Sequence, residues 1–85
     1  MGVFEIDGKF YDTKKAVDYW ESVDALRRIR LYKSSQGYFY MTIFDRCIGS
    51  ITKASSVSKR GAAEYLVLNG YAIPDDLKEY APTTE

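Results

Sequence analysis

Two short runs of alternating residues constrain the fold of this chain more than any other feature. In Arg28 to Tyr32, Ile29 and Leu31 point to one side; in Tyr38 to Phe44, Phe39, Met41 and Ile43 do the same. Both sets face one core only if the runs pair as an antiparallel hairpin, which the spacing predicts with Leu31 opposite Phe39 and Ile29 opposite Met41. A one-residue slip would turn Arg28 and Arg30 into the core. This register makes Tyr32 and Tyr38 the last outer-face pair and leaves a loop of Lys33, Ser34, Ser35, Gln36 and Gly37, with Gly37 in the left-handed conformation. The outer face then carries Arg28, Arg30, Tyr32, Tyr38, Tyr40, Thr42 and Phe44, and is both basic and aromatic.

The flanking segments supply further elements. Asp7-Gly8 between Val3–Ile6 and Lys9–Tyr11 predicts a tight hairpin with Phe4, Ile6 and Tyr11 on one face. Asp12 or Thr13 offers a cap for a first helix, in which Ala16, Val17, Trp20 and Val23 recur at helical spacing and Trp20 enters the core. Ile48 to Thr52 reads as a further strand interrupted by Gly49. Ser58 caps a second helix with Ala62, Ala63 and Leu66 on its core side, and Asn69-Gly70 stops it. Pro74 opens a short third helix that ends before Pro82. The expected fold is α+β: an antiparallel sheet of four or five strands with two main helices on one face and a short C-terminal helix. It forms a single domain over residues 1–81, with a mobile tail over 82–85.

Composition bears mainly on function. The 85-residue chain is 46% hydrophobic and 15% aromatic, which excludes a disordered protein and allows one core. It contains no His, so the commonest general base is missing, and its single Cys cannot form an internal disulfide. Cys47 reads as a small buried hydrophobe. Soft zinc ligands, phosphate-binding loops and dinucleotide-binding glycines are also absent. No enzyme, cofactor or metal site is therefore expected. No charged start with an apolar run marks a signal peptide, and no apolar run spans a membrane, so the expected compartment is the cytoplasm.

The formal charge of zero hides a segregation. From Arg27 to Arg60 there are eight basic residues against one acid, Asp45, a balance of +7 that the rest of the chain offsets. Local fields, rather than net charge, decide which partners a surface attracts. Rings interleaved with arginines suit single-stranded nucleic acid, in which bases stack and phosphates meet cations. Lys14-Lys15 and Lys59-Arg60 each follow a hydroxyl cap and place cations at a helix start, against the dipole, where an anion can bind. The alternative is that they are exposed and screened, or paired with acids near the two ends. The candidate binding residues are Arg28, Arg30, Tyr32, Tyr38, Tyr40, Phe44, Lys59 and Arg60. The alternative role for the same face is a protein-interaction module, either a homodimer or an inhibitor or adaptor of a host protein.

The segments Asp7-Gly8-Lys9-Phe10-Tyr11-Asp12-Thr13-Lys14-Lys15-Ala16, Leu31 to Tyr40, and Val57-Ser58 to Leu66 together resemble a group of small bacterial, phage and plasmid proteins of uncharacterised activity. These share a Gly-Lys-x-Tyr-Asp-Thr start, a Leu-Tyr-(Lys/Arg)-Thr loop closed by Gly and an aromatic, and a terminal helix with an Ala-x-x-(Trp/Tyr)-Leu core. The resemblance implies a cytoplasmic accessory protein of a mobile element and carries no functional residues. Lys59, Arg60 and Gly61 depart from the acids usual at that helix start.

Overall fold

A computed structural model of the chain describes residues 3–82; most of the expected tail, residues 83–85, lies outside them. Among the described residues, six strands, one α-helix and two single 3-10 segments form three layers. The middle layer is a four-stranded antiparallel sheet of β3 (Asp18–Val23), β4 (Arg27–Lys33), β5 (Phe39–Asp45) and β6 (Ser50–Val57), hydrogen-bonded in that order. A separate hairpin of β1 (Val3–Ile6) and β2 (Lys9–Asp12) covers one face, and α1 (Lys59–Leu68) covers the other. The α+β class stands, but the second main helix does not: the fold has one helix on one face and a β-hairpin on the other.

Asp7 and Gly8 both adopt positive φ, 53° and 80°, as the turn between β1 and β2 requires. The expected first helix stops after one 3-10 turn, Thr13–Lys15. The Asp12 carboxylate accepts from the Lys14 N–H at 2.9 Å, and Ala16 then leaves the helical region. The following Asp18–Val23 is β3, because its apolar residues fit a period of two as well as one of 3.6. In the strand, Trp20 pairs with Leu31 and packs half-buried on the helix side, while Tyr19 pairs with Tyr32 on the hairpin side. Pairing with β4 decides between the two periods.

The β4–β5 register keeps the expected faces but is displaced by two residues: Leu31 lies opposite Met41, and Ile29 opposite Ile43. The loop lies one position further along the chain than the sequence suggests. The Ser34 N–H closes it by donating to the Tyr38 carbonyl at 2.7 Å, the Ser34 hydroxyl accepts from the Gln36 and Tyr38 N–H groups, and Gly37 takes φ 87°. With Lys33 opposite Phe39 as the last strand pair, Ser34 to Tyr38 turn the chain in place of Lys33 to Gly37. Tyr38 therefore sits in the loop, exposed, and Tyr40 becomes the partner of Tyr32. The last strand begins only after a turn held by the Asp45 carboxylate, which accepts from the Cys47 and Ile48 N–H groups. Cys47 is accordingly exposed, not buried.

On the helix side, Leu31, Phe39, Ala62, Ala63, Leu66 and Leu77 form the main core, flanked by Trp20, Met41 and Tyr65. Ser58 caps α1 by accepting from the Gly61 N–H at 3.0 Å, as its sequence predicts. A 3-10 segment, Asp75–Tyr80, brings Leu77 into this core after Pro74. Tyr71 protects the free edge of β3: its hydroxyl accepts from the Glu21 N–H at 3.3 Å and donates to the Glu21 carbonyl. Exposed edge groups are templates for another strand, and one side chain here closes two of them. Among the described residues no helix is long and apolar enough to cross a membrane.

Two substitutions test this packing. Leu66→Ala, at a fully buried position, is expected to lower the free energy of unfolding by about 2 to 5 kcal/mol in urea titrations. Tyr71→Phe is expected to open the Glu21 edge and shift concentrated protein toward dimers and larger species on size exclusion; an unchanged profile would show that the edge needs no cap.

Candidate functional site

The alternation that predicted an open basic-aromatic face describes a covered one. Tyr40 is 0% exposed, Tyr32 7% and Thr42 3%, because the β1–β2 hairpin lies over them with Ile6, Phe4 and Tyr11. Tyr32 and Tyr40 stack at 5.1 Å between ring centroids, Tyr11 stacks on Tyr40 at 4.7 Å, and Tyr19 leans on Tyr32 at 5.8 Å. These rings are occupied with one another, so Tyr32 and Tyr40 have no free face for a base. The signal in the sequence was the apolar face of the hairpin: two strands alone cannot bury Phe4, Ile6 and Tyr11, and a second aromatic surface is what they need.

Where the hairpin stops short of the sheet margins, recesses remain, two of which bear on the candidate residues. The smaller of these two, about 280 Å³, brings together Lys14, Arg28, Arg30, Phe4, Tyr32 and Phe44. Four of the eight expected residues meet here, joined by Lys14, which the sequence placed on a separate helix start. The Arg28 guanidinium lies 4.4 Å from the centre of the Phe44 ring, and its Nε is buried without a hydrogen-bond partner, 3.9 Å from Glu21. Arg30 is more strongly held: Nη1 reaches the Tyr32 hydroxyl at 3.4 Å and Nε donates to Glu21 at 2.6 Å, and both contacts raise its pKa and keep it charged. Of the three cations, Arg28 and Arg30 share the Glu21 carboxylate, so the recess is net positive.

The larger recess, about 660 Å³, opens between β2 and the Ser34–Tyr38 loop. Tyr38 and Tyr40 both line it, with Lys9, Phe10, Asp12 and Lys15. The Lys9 ammonium sits 4.0 Å above the Tyr38 ring and ties hairpin to loop. The Tyr40 hydroxyl is buried and unpartnered, and burial, with Tyr32, Asp12 and Tyr11 nearby, pushes its pKa up to about 12.

Lys59 and Arg60 do not join either recess. They start α1 on the opposite side of the sheet, and Val57, just before them, pairs with Phe39, five positions along β5 from Phe44, or roughly 17 Å. The expectation that they assist Arg28 and Arg30 is thereby corrected. The charge segregation is also less complete in space than in sequence. Lys33 pairs with Asp76 at 2.6 Å, which lowers the Asp76 pKa, and Arg46 donates to the Asp24 carbonyl at 2.7 Å. No family model, curated protein or solved structure matches the chain.

The raised Tyr40 pKa sets a pH dependence. An unfolded tyrosine ionises near pH 10, and the folded protein resists that ionisation, so the stability tied to the neutral phenol is complete below pH 10 and is lost toward pH 12. The urea midpoint of the parent is expected to fall more steeply over this range than that of Tyr40→Phe; equal slopes would show that Tyr40 ionises freely.

Proposed function

We propose that the protein is a non-enzymatic binding protein that takes single-stranded nucleic acid at the recess of Lys14, Arg28 and Arg30. The observation that carries this reading is the meeting of three cations with Phe4 and Phe44 around one groove. Phosphates pair with such cations, and a ring such as Phe44, already bearing a guanidinium on one side, is a platform for stacking. The recess is small, so the interaction is local and weakly dependent on sequence. Tyr32 acts from below by holding Arg30, and Tyr38, Tyr40, Lys59 and Arg60 lie outside the contact. An accessory role on a mobile element in the cytoplasm is the setting the resemblance implies.

A protein-interaction module is the second reading. It is favoured by Val23, Leu26 and Ile48, all more than half exposed near two turns that Arg46 N–H ties together by donating to the Leu26 carbonyl. Light scattering over a range of concentrations reports a homodimer formed there.

Three phosphate contacts predict that log Kobs for a short single strand falls with log salt at a slope of about −2. Lys14→Gln combined with Arg28→Gln is expected to flatten the slope to about −0.7 and weaken binding at least tenfold at low salt. Fluorescence anisotropy with a labelled oligonucleotide measures both. Absent binding at low salt, or a slope the double variant leaves unchanged, would sink the reading.

A further inference from the structure

The end of the sheet opposite the Ser34–Tyr38 loop is ordered and yet apolar. Two turns form it, each organised by an aspartate. Asp24 accepts from the Leu26 and Arg27 N–H groups at 2.8 Å, and Asp45 from the Cys47 and Ile48 N–H groups at 2.9 and 3.2 Å. The bonds from Leu26 and Arg27 hold the Asp24 carboxyl below the usual carboxylate range and keep it charged. Arg46 ties one turn to the other, its N–H donating to the Leu26 carbonyl at 2.9 Å and its Nη1 to the Asp24 carbonyl at 2.7 Å. Val23 and Ile51 flank the turns, on the row in which Val23, Arg28, Phe44 and Ile51 oppose one another across the four strands. Val23 is 54% exposed, Leu26 62% and Ile48 68%, and none of them packs into either core. Single exposed apolar residues need no explanation, but these share one end of the molecule, at turns where polar residues are the rule. The fold gains nothing from them.

We propose that this end face is the contact of a homodimer, met by a second copy of the chain across a twofold axis. A twofold contact sets a patch against itself, so the patch must complement itself. Residues 23–27 and 45–51 meet that demand: their charged side chains are two acids, Asp24 and Asp45, and two bases, Arg27 and Arg46, beside the apolar group. A nucleic acid, or a strongly acidic or basic protein, finds no net charge here to attract it. The turns are already braced, so little order remains to be lost on association. Four strands give an end face only about 14 Å wide, too narrow for the roughly 800 Å² per partner of a standard stable interface. The dimer is therefore weak, with a Kd of about 10 to 100 µM. The inference rests on the second reading above, whose partner it names, and does not depend on nucleic-acid binding.

Sedimentation equilibrium of the chain alone, from about 5 µM to about 1 mM, tests the dimer and is expected to show a monomer–dimer equilibrium with no larger species. Amide chemical-shift changes on dilution are expected at residues 23–27 and 45–51 and to be small elsewhere. Leu26→Glu and Ile48→Glu, both at exposed positions, are expected to melt close to the parent and to weaken the dimer at least tenfold. Asp45→Asn keeps the oxygen that accepts from the turn N–H groups but not the charge, and is expected to weaken the dimer about threefold. A chain that stays monomeric throughout overturns the homodimer but not the second reading, which then requires an unlike protein. Shift changes confined to β6 or to the Arg28 recess, a dimer indifferent to Leu26→Glu or to Asp45→Asn, or open-ended growth into filaments would overturn a twofold contact at this face.

Discussion

The structure depends on the stack of Tyr19, Tyr32, Tyr40 and Tyr11, which runs from the edge strand across the sheet and up into the hairpin. A two-stranded hairpin in water is at best marginally stable by itself. Here its apolar side rests on Tyr32 and Tyr40, whose rings are nearly parallel at 13°, and Ile6 is buried beside them. Ser56 Oγ donates to Asp7 at 3.1 Å and pins the turn to β6. The hairpin thereby gives the sheet a second buried face, matching the one that α1 covers. A chain of 85 residues gains much from this, because a small domain buries a smaller fraction of its surface than a large one.

The parts of the fold legible in the sequence are those fixed by local chemistry. Asp7-Gly8 turns because both positions tolerate positive φ; α1 starts at Ser58 and ends at Asn69 because caps are read within four residues. The parity of β4 and β5 was legible because arginines cannot be buried on the side of Leu31. What depended on partners was not. Asp18–Val23 carries apolar residues that suit a helix or a strand, and only β4 alongside it decides the matter. The displaced register goes with Ser34, whose N–H and hydroxyl hold the loop through bonds no alternation pattern encodes. The covered face was misjudged for the same reason: arginine and tyrosine are common on surfaces, and only a hairpin arriving from elsewhere in the chain makes Tyr40 a core residue.

Folding also redistributes the charge. Residues 27–60 carry +7 along the chain, yet Arg30 and Arg28 converge on Glu21 of β3, and Lys33 reaches Asp76 beyond the helix. These pairs are a third exposed or nearly so, which limits each to a fraction of a kcal/mol. Their larger effect is geometric. Glu21 orients two guanidiniums toward one recess while neutralising one of them, and Lys33 is drawn away from the sheet face toward the helix layer. The basic window is thus divided among places that cannot act as one surface.

The two recesses differ in what the fold gains from their residues. At the smaller one Arg28 and Arg30 contribute packing on Phe44 and Tyr19 and an ion pair with Glu21, so their presence has a structural account before any ligand is considered. The Tyr40 hydroxyl has none. A buried, unpaired hydroxyl costs about 1 to 3 kcal/mol, a substantial part of the roughly 4 to 13 kcal/mol expected for a chain of this length. The ring alone supplies the stacking, so the oxygen, like the unpartnered Arg28 Nε, works against the fold.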